Sequence, residues 1–357
     1  MPELPEVETV RRRLLTCLPG LVVRDVRVND PTVCDLSEDE LRASLAGRRV
    51  LGLRRRGKYL LVDLGPAEDG PAEDGPAEDG AAEDRATEDG PTGSGPARGS
   101  AARSAALSSA EAPAPTEVPA PPAAGRLLIV HLRMTGQLLF RPEPGARPAR
   151  VVVFLDHATE LHFADVRRFG RLWSLDPGEE ASFFADMGPE PFSAAFDVAC
   201  LRAALRGRQA PLKAFLLDQR RIAGVGNIYA DEALFRARLS PLRAAGSVGP
   251  REARRLHAAL RETLQLGIDH EGSSIESFID PAGARGRFQQ ILNVYQRTGE
   301  PCRVCGTAIE RVVVGGRGTH YCPRCQPRRG GLAPTVRRLR PTGPVGKRDA
   351  RGARPAT

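Results

Sequence analysis

The sequence predicts a multi-domain α+β protein, in which an all-β amino-terminal body with one leading helix is followed by a helical domain and a small metal-binding module. Three observations support this prediction. Strand-like runs and turns fill residues 21–175, apolar spacing becomes helical between residues 196 and 266, and four of the seven cysteines lie within residues 302–325. A chain of 357 residues suits two or three domains.

The leading helix is predicted directly after the Pro-rich segment PELP at residues 2–5. Glu6 and Glu8 would lie in its first turns, where the helix dipole favours acidic side chains. Its apolar face is formed by residues at helical spacing, namely Val7, Val10, Leu14, Leu15 and Leu18.

The all-β body is interrupted by residues 66–125, which lie between predicted strands at 50–64 and 126–140. This segment repeats PAEDG three times, and its 12 acidic residues against 3 arginines give a net charge of −9. It contains too few large apolar residues to offset the entropy of ordering, so we expect a disordered insertion at a hairpin tip. Closing a loop of about 60 residues costs on the order of 2 kcal/mol, which a fold can tolerate. A further strand pair is expected between residues 151–155 and 160–163.

The helical domain is predicted from Leu256, Leu260 and Leu264, which share one face of a helix that begins near Pro250. Before it lies the turn Gly224-Val225-Gly226-Asn227. Its glycines permit a tight turn, and the amino terminus of the next helix could bind phosphate, with Lys213 and Arg220 nearby. A purely structural turn explains the same residues.

Charge and hydropathy narrow the possible functions. No run approaches the roughly 18 apolar residues of a membrane-spanning helix, and the amino terminus lacks a signal-peptide pattern, so we expect no membrane partner and a cytoplasmic location. Residues 327–357 carry nine bases and one acid and are expected to form a basic disordered tail. With a total of +8 for the chain, the remaining body carries +9, which indicates a candidate binder of polyanions.

The most specific local signal is a pair of Cys-x-x-Cys knuckles separated by 16 residues, Cys302/Cys305 and Cys322/Cys325. Two such knuckles can form one tetrahedral thiolate site, which predicts one structural zinc ion with no open position for catalysis. The other cysteines, Cys17, Cys34 and Cys200, are expected to be ordinary buried residues. Between the knuckles, the segment GGRGTH at 315–320 predicts a hairpin tip, where Arg317 either approaches a nucleic-acid backbone or lies in a solvated turn.

Seven motifs occur in one order along the chain: PELPEVE at the start, RGKYL at 56–60, HLRMTG at 131–136, DVRRFG at 165–170, GVGNIYADE at 224–232, VYQRTGEPC at 294–302 and RGTHYCPRCQ at 317–326. Together they resemble the bacterial formamidopyrimidine-DNA glycosylases, which are base-excision enzymes for oxidised purines. The resemblance covers the chain outside residues 66–125 and the tail after about 327. It implies a catalytic β-sandwich with a leading helix at 1–190, a helix-two-turns-helix DNA-binding domain at 191–290 and a β-hairpin zinc finger at 291–326.

The resemblance also implies roles for individual residues. Pro2 would be the nucleophile once Met1 is removed, Glu3 would assist proton transfer, and Lys58 and Arg317 would hold the DNA backbone at the lesion. The remaining DNA-binding residues would be Met134, Arg167 and Phe169, which fill the gap left by an extruded base, together with Lys213, Asn227 and Tyr295. The chemistry of proline agrees with the role of Pro2, because a secondary amine that attacks C1′ forms a cationic iminium, which is a good electron sink.

The resemblance implies a bifunctional glycosylase and abasic-site lyase that acts on damaged double-stranded DNA as a monomer in the cytoplasm, at the nucleoid. Two alternatives remain open. An endonuclease VIII-type enzyme would prefer oxidised pyrimidines, although such relatives usually carry PEGPE where this chain has Leu4. A non-catalytic DNA-binding protein would be expected to have lost Pro2 or Glu3, and both are present.

Overall fold

The computed structural model describes residues 1–67, 125–143, 147–275, 277–328 and 333. A leading helix, α1 (Leu4–Leu15), packs on a sandwich of two four-stranded antiparallel sheets. The strands are β1 (Val23–Val28), β2 (Arg48–Arg56), β3 (Tyr59–Ala67), β4 (Arg126–His131), β5 (Gly136–Phe140), β6 (Ala149–Leu155), β7 (Thr159–Asp165) and β8 (Arg171–Leu175). One sheet has the order β1-β6-β7-β5 and the other β2-β3-β4-β8.

The predicted hairpin around the acidic insertion is confirmed at its base. Strands β3 and β4 pair antiparallel up to Leu64 and Arg126, on either side of the insertion. The disorder expected for the insertion concerns residues that, apart from 66, 67 and 125, lie outside the described part of the chain, as does most of the basic tail.

Each of the two strands predicted beside the insertion is in fact two strands. Residues 50–64 contain most of β2, a turn and most of β3, because Gly57 takes a positive φ of +58°. Residues 126–140 contain β4 and β5, which belong to different sheets, and the chain turns between them at Arg133 with φ of +50°. The predicted pairing of residues 151–155 with 160–163 is confirmed as β6 with β7.

A helix within the β region was missed. Helix α2 (Glu38–Leu45) begins at a capping box, in which the Ser37 side chain accepts from the backbone N–H of Glu40. It buries Leu41 and Leu45 in the sandwich core. The same core contains four of the predicted α1 residues, Val7, Val10, Leu14 and Leu18, while Leu15 is half-buried beside them.

The second core is helical, as predicted. After the short α3 (Glu180–Phe183), it contains α4 (Val198–Leu205), α5 (Leu212–Leu217), α6 (Asn227–Arg236) and α7 (Pro250–Asp269). Pro250 is the first residue of α7, and Leu256, Leu260 and Leu264 are fully buried. After α7 the chain returns to the sandwich, where Phe278 is buried in its core and Phe140 N–H donates to the Pro281 carbonyl at 3.0 Å.

The last described element is a hairpin of β9 (Glu310–Val314) and β10 (Arg317–Tyr321). Its two-residue turn consists of Gly315 and Gly316, with φ of +56° and +74°, which is the backbone that a tight hairpin requires. The predicted hairpin is therefore confirmed, but its tip is shorter than the predicted 315–320, because residues 317–320 belong to β10. Within the described residues, no helix combines the length and apolar character needed to cross a membrane.

Candidate active site

Glu3 lies between α1 and the helical core, where it caps α6. Its Oε1 accepts a hydrogen bond from the backbone N–H of Ile228 at 2.9 Å, and its Oε2 lies 3.5 Å from the backbone N of Tyr229. The backbone N–H of Leu4 donates to the Gly224 carbonyl at 3.1 Å. The unpaired N–H groups of a helix amino terminus favour a carboxylate, so α6 fixes the start of the chain.

The two glycines of the 224–227 turn are required by this contact. A Cβ on Gly226 would lie 2.2 Å from Cδ of Glu3, and one on Gly224 would lie 2.6 Å from Cδ1 of Leu4. The first N–H groups of α6 are thus used by a protein carboxylate. The N–H groups of Ile228 and Tyr229 are therefore not offered to a phosphate, and phosphate binding by the rest of the turn stays a prediction.

Glu6 joins three segments around Glu3. Its Oε2 accepts from the backbone N–H of Glu3 at 2.8 Å, and its Oε1 accepts from the Tyr229 hydroxyl and the Ser273 N–H, both at 2.7 Å. Burial raises the pKa of Glu6, while these hydrogen bonds lower it. The network holds α1, α6 and the segment after α7 in one arrangement at the site.

The electrostatics of the site allow Glu3 to exchange protons near neutral pH. The pKa of Glu3 is raised to about 7, chiefly by burial and also by the negative charge of Glu6, against the opposing charge of Lys58. Lys58 is also buried, at 6% exposed. Burial lowers the pKa of Lys58, an effect opposed by Glu3 and reinforced by Arg317. A carboxyl group with a pKa near the working pH suits general acid–base chemistry.

One pocket brings together most of the residues predicted for the site. Among the residues that line it are Glu3, Lys58, Met134, Asn227, Tyr295 and Arg317, together with Met1, Ser273, Ile275 and Phe278. Pro2 lies between two of these lining residues in the chain and is itself buried. The pocket therefore gathers side chains from the sandwich, the helical core and the hairpin.

The predicted gap-filling residues lie on two adjacent loops of the sandwich. Asp165 organises them, because its carboxylate accepts from the Thr135 hydroxyl, from the Arg167 N–H at 3.1 Å and from the Gly170 N–H at 2.7 Å. Phe169 is 49% exposed, and the Arg167 guanidinium lies 4.7 Å from its ring centroid. A phenylalanine this exposed is not a core residue.

Lys213 is separated from the pocket surface. Its side chain is fully buried, and its Nζ lies 2.7 Å from Asp231 Oδ1 and donates to the Gly318 carbonyl at 2.7 Å. Asn227 and Tyr295 are close to each other, with Asn227 Nδ2 3.4 Å from the Tyr295 hydroxyl. Glu232 supports Tyr295 by accepting from its backbone N–H at 2.9 Å.

The four predicted metal ligands converge. The sulfur atoms of Cys302, Cys305, Cys322 and Cys325 all lie within 4.8 Å of one another. The Cys302–Cys325 and Cys305–Cys322 sulfur distances are 3.9 and 3.4 Å. A tetrahedral zinc site with bonds of about 2.3 Å places its sulfurs about 3.8 Å apart, so the cluster fits one structural zinc ion. The three other cysteines are half-buried rather than buried, because each lies at the edge of a core.

Sequence reasoning missed the carboxylates that support the site. They are Glu6, Asp165, Glu190, Asp231 and Glu232. Glu190 accepts from the backbone N–H of Gly57 and from Arg55 Nη1 at 2.8 Å, which anchors the turn that carries Lys58. Four of the five lie within the motifs PELPEVE, DVRRFG and GVGNIYADE. The presence of these acidic residues inside the matched motifs was the available signal.

The comparisons with known proteins cover nearly the whole chain. A family model described as "Formamidopyrimidine-DNA glycosylase N-terminal domain" matches residues 1–78 and 106–172. A second, described as "Formamidopyrimidine-DNA glycosylase H2TH domain", matches 187–279, and "Zinc finger found in FPG and IleRS" matches 299–328.

Individual relatives agree with these matches. The formamidopyrimidine-DNA glycosylase of Pelotomaculum thermopropionicum is 39% identical over 331 residues, which are 91% of this chain and 99% of the relative. The crystal structure of the Fpg (MutM) protein of Thermus thermophilus is 40% identical and matches with a TM-score of 0.68 over 91% of this chain and 98% of that one. A Lactococcus lactis Fpg mutant in complex with DNA containing Fapy-dG is 30% identical, with a TM-score of 0.71 over 91% and 100% of the two chains. The chain belongs to the formamidopyrimidine-DNA glycosylase family.

Proposed function

We propose that this chain is a DNA glycosylase and abasic-site lyase that excises oxidised purines, such as 8-oxoguanine and formamidopyrimidines, from double-stranded DNA through a Schiff base on Pro2. The observation that carries the proposal is the buried carboxyl of Glu3, whose pKa is raised to about 7, directly after Pro2 and beside a pocket lined by Lys58 and Arg317. The Fapy-dG in the DNA bound by the Lactococcus lactis relative supports a purine substrate.

In the proposed reaction, removal of Met1 exposes the secondary amine of Pro2. The lone pair of this amine attacks C1′, the bond from C1′ to the base breaks, and the base leaves with a proton. The nitrogen then loses its own proton, its lone pair forms a second bond to C1′ as the C1′–O4′ bond breaks, and O4′ takes up a proton to become a hydroxyl. An α-amino group titrates near pH 8, so a useful fraction is neutral at physiological pH. The product is an iminium ion between Pro2 and the opened sugar, and its fixed positive charge draws electrons from the adjacent C–H bond.

Strand cleavage then proceeds by elimination. A proton leaves C2′, and the bond to the 3′ phosphate breaks. A second elimination releases the 5′ phosphate, and hydrolysis frees Pro2. Glu3 is the proton carrier for these steps, because its raised pKa lets both of its protonation states be populated near pH 7.

The positive charges at the pocket serve to hold the DNA. Lys58 and Arg317 both line the pocket and neutralise phosphates next to the lesion, and Asn227 and Tyr295 extend this surface. Extruding a base costs a few kcal/mol in stacking and pairing. Met134, Arg167 and Phe169 fill the vacated space, a role that the exposure of Phe169 permits.

The proposed function divides the chain into three parts and names its partner. We assign catalysis to residues 1–190, DNA binding to 191–290 and the zinc finger to 291–326. The enzyme acts as a monomer on damaged double-stranded DNA, in the cytoplasm and at the nucleoid. The net charge of +9 on the chain outside residues 66–125 and 327–357 favours this partner.

A comparison of lesions tests the proposed substrate class. Duplexes that carry 8-oxoguanine, a formamidopyrimidine or an oxidised pyrimidine are incubated with the purified enzyme, and single-turnover cleavage rates are measured. Faster cleavage of the two purine lesions is expected. A clear preference for the oxidised pyrimidine would favour the endonuclease VIII-type alternative, and no cleavage of any lesion would favour a DNA-binding protein.

A further inference from the structure

Lys213 is a buried cation for which the proposed reaction has no direct use. Its side chain has 0% exposure, and it lies on α5 beneath the hairpin of β9 and β10. An ammonium group is costly to bury unless it is paired and hydrogen-bonded, so its partners indicate what it does.

Those partners connect two helices to β10. Lys213 Nζ lies 2.7 Å from Asp231 Oδ1 on α6 and donates to the Gly318 carbonyl on β10 at 2.7 Å. The other oxygen of Asp231 accepts from the backbone N–H of His320 at 2.9 Å and lies 3.2 Å from His320 Nδ1. We call Lys213, Asp231 and His320 the hairpin latch.

The latch contacts β10 directly beside Arg317. Gly318 and His320 are one and three residues beyond Arg317, which follows the Gly315-Gly316 turn and lines the pocket. The hairpin is also attached through an apolar cluster that includes Leu242, Val312, Val314 and Tyr321. Apolar contacts are non-directional, whereas the bonds of the latch define one register of β10 against α5 and α6.

We propose that the hairpin latch fixes the place of Arg317 at the pocket, and that Lys213, Asp231 and His320 are positioning residues that act through Arg317 rather than contacts to DNA. The inference rests on the proposed function, in which Arg317 holds DNA at the lesion. It reassigns Lys213, because a fully buried side chain with two protein partners does not face the substrate.

A double-mutant cycle separates positioning from a general structural effect. The variants are Asp231→Asn, Arg317→Ala and their combination, and the assay is single-turnover cleavage of an 8-oxoguanine duplex. We expect Asp231→Asn alone to slow cleavage about tenfold, an effect within the range of interaction energies measured for residues in contact. Once Arg317 is absent, Asp231→Asn should slow cleavage no further. The same factor in both backgrounds would overturn the latch. An Arg317→Ala variant with full activity would instead overturn the role of Arg317 in the proposed function.

A second measurement tests whether Lys213 contacts DNA. In the Arg317→Ala background, Lys213→Met should leave the slope of log Kd against log salt unchanged. A direct phosphate contact would reduce that slope by about 1, which would contradict the proposal.

Asp231→Asn leaves the buried charge of Lys213 unpaired and could cause misfolding. Further variants therefore distinguish misfolding from the loss of positioning. The pair Lys213→Met with Asp231→Asn removes both charges, and His320→Phe removes only the Nδ1 bond. Each goes through the same cycle with Arg317→Ala, and zinc content and Tm are measured for every protein. The matched control is Glu262→Gln, which breaks an exposed ion pair with Arg236 on α6, 2.6 Å long, away from the hairpin. It should leave cleavage unchanged, and a tenfold loss in this control would contradict the assignment of the effect to the latch.

Discussion

The buried carboxyl of Glu3 makes the stability of the protein depend on pH, and Glu3→Gln exposes this dependence. Burial raises the pKa of Glu3 from 4.5 to about 7 in the folded protein. The folded state therefore holds the proton more tightly than the unfolded chain. This contribution to stability is fully present below about pH 4.5 and is lost as the pH rises through 7.

The size of the effect follows from the two pKa values. A difference of one between folded and unfolded pKa corresponds to about 1.4 kcal/mol, so ionised Glu3 lowers the free energy of unfolding by about 3 kcal/mol at pH 8. Glutamine resembles the protonated carboxyl and can still accept from the Ile228 N–H through its amide oxygen. We expect Glu3→Gln to be about 3 kcal/mol more stable than the native protein at pH 8 and less than about 1 kcal/mol more stable at pH 5.

The assay is urea unfolding at pH 5, 6, 7 and 8, followed by circular dichroism and by the fluorescence of Trp173, the single tryptophan of the chain. The same variant should lose excision activity at every pH. Glu143→Gln is the control, because Glu143 lies exposed in a loop of the sandwich, and its difference from the native protein should not change with pH. Two results would contradict the reasoning: Glu3→Gln is no more stable than the native protein at pH 8, or the difference in free energy of unfolding is constant from pH 5 to 8. Either result would mean that burial does not raise the pKa of Glu3.

Three further substitutions test other parts of the site. Phe169→Ala should change the free energy of unfolding by less than about 1 kcal/mol, because this ring is exposed, while slowing excision from an intact duplex more than cleavage at a preformed abasic site. A loss of about 3 to 5 kcal/mol would identify a core residue instead. Cys305→Ser should abolish stoichiometric zinc, measured by metal analysis, and weaken DNA binding more than it destabilises the sandwich; full activity without metal would contradict this. Gly226→Ala should displace Glu3, whose Cδ would lie 2.2 Å from the new Cβ, so excision should fall at least tenfold with the fold retained by circular dichroism, and unchanged kinetics would refute the close contact.

The architecture could be predicted from local sequence patterns where an element buries only one of its faces. The apolar positions of α1 and α7 recur at helical spacing, and the cysteine spacing predicted the cluster that the structure brings together. The strand boundary at Gly57 was missed although the polar run RRRGK at 54–58 contains a glycine, which is a turn signal, whereas the residue type of Arg133 gives no indication of its positive φ. Helix α2 was missed because its eight residues are too few for a periodic pattern, although the Ser37 capping box was visible.

The candidate site was predicted mainly through its motifs, and the geometry explains what the motifs left open. The glycines at 224 and 226 predict a phosphate-binding turn, and the structure adds a contact that this local pattern does not contain, namely Glu3, more than 200 residues away in the chain. Lys213 likewise has the residue type of a DNA contact, and only its burial against Asp231 reveals a different environment. Long-range polar contacts of this kind have no sequence period. The domain boundaries and the roles of individual side chains stay predictions.

The central claim is that the amine of Pro2 forms the covalent intermediate. Borohydride reduction during the reaction with an 8-oxoguanine or abasic-site duplex should trap a protein–DNA adduct, and mass spectrometry of its peptides should locate the DNA on Pro2 in a chain that lacks Met1. An adduct on Lys58 or Lys213, or full activity in protein that retains Met1, would contradict the claim.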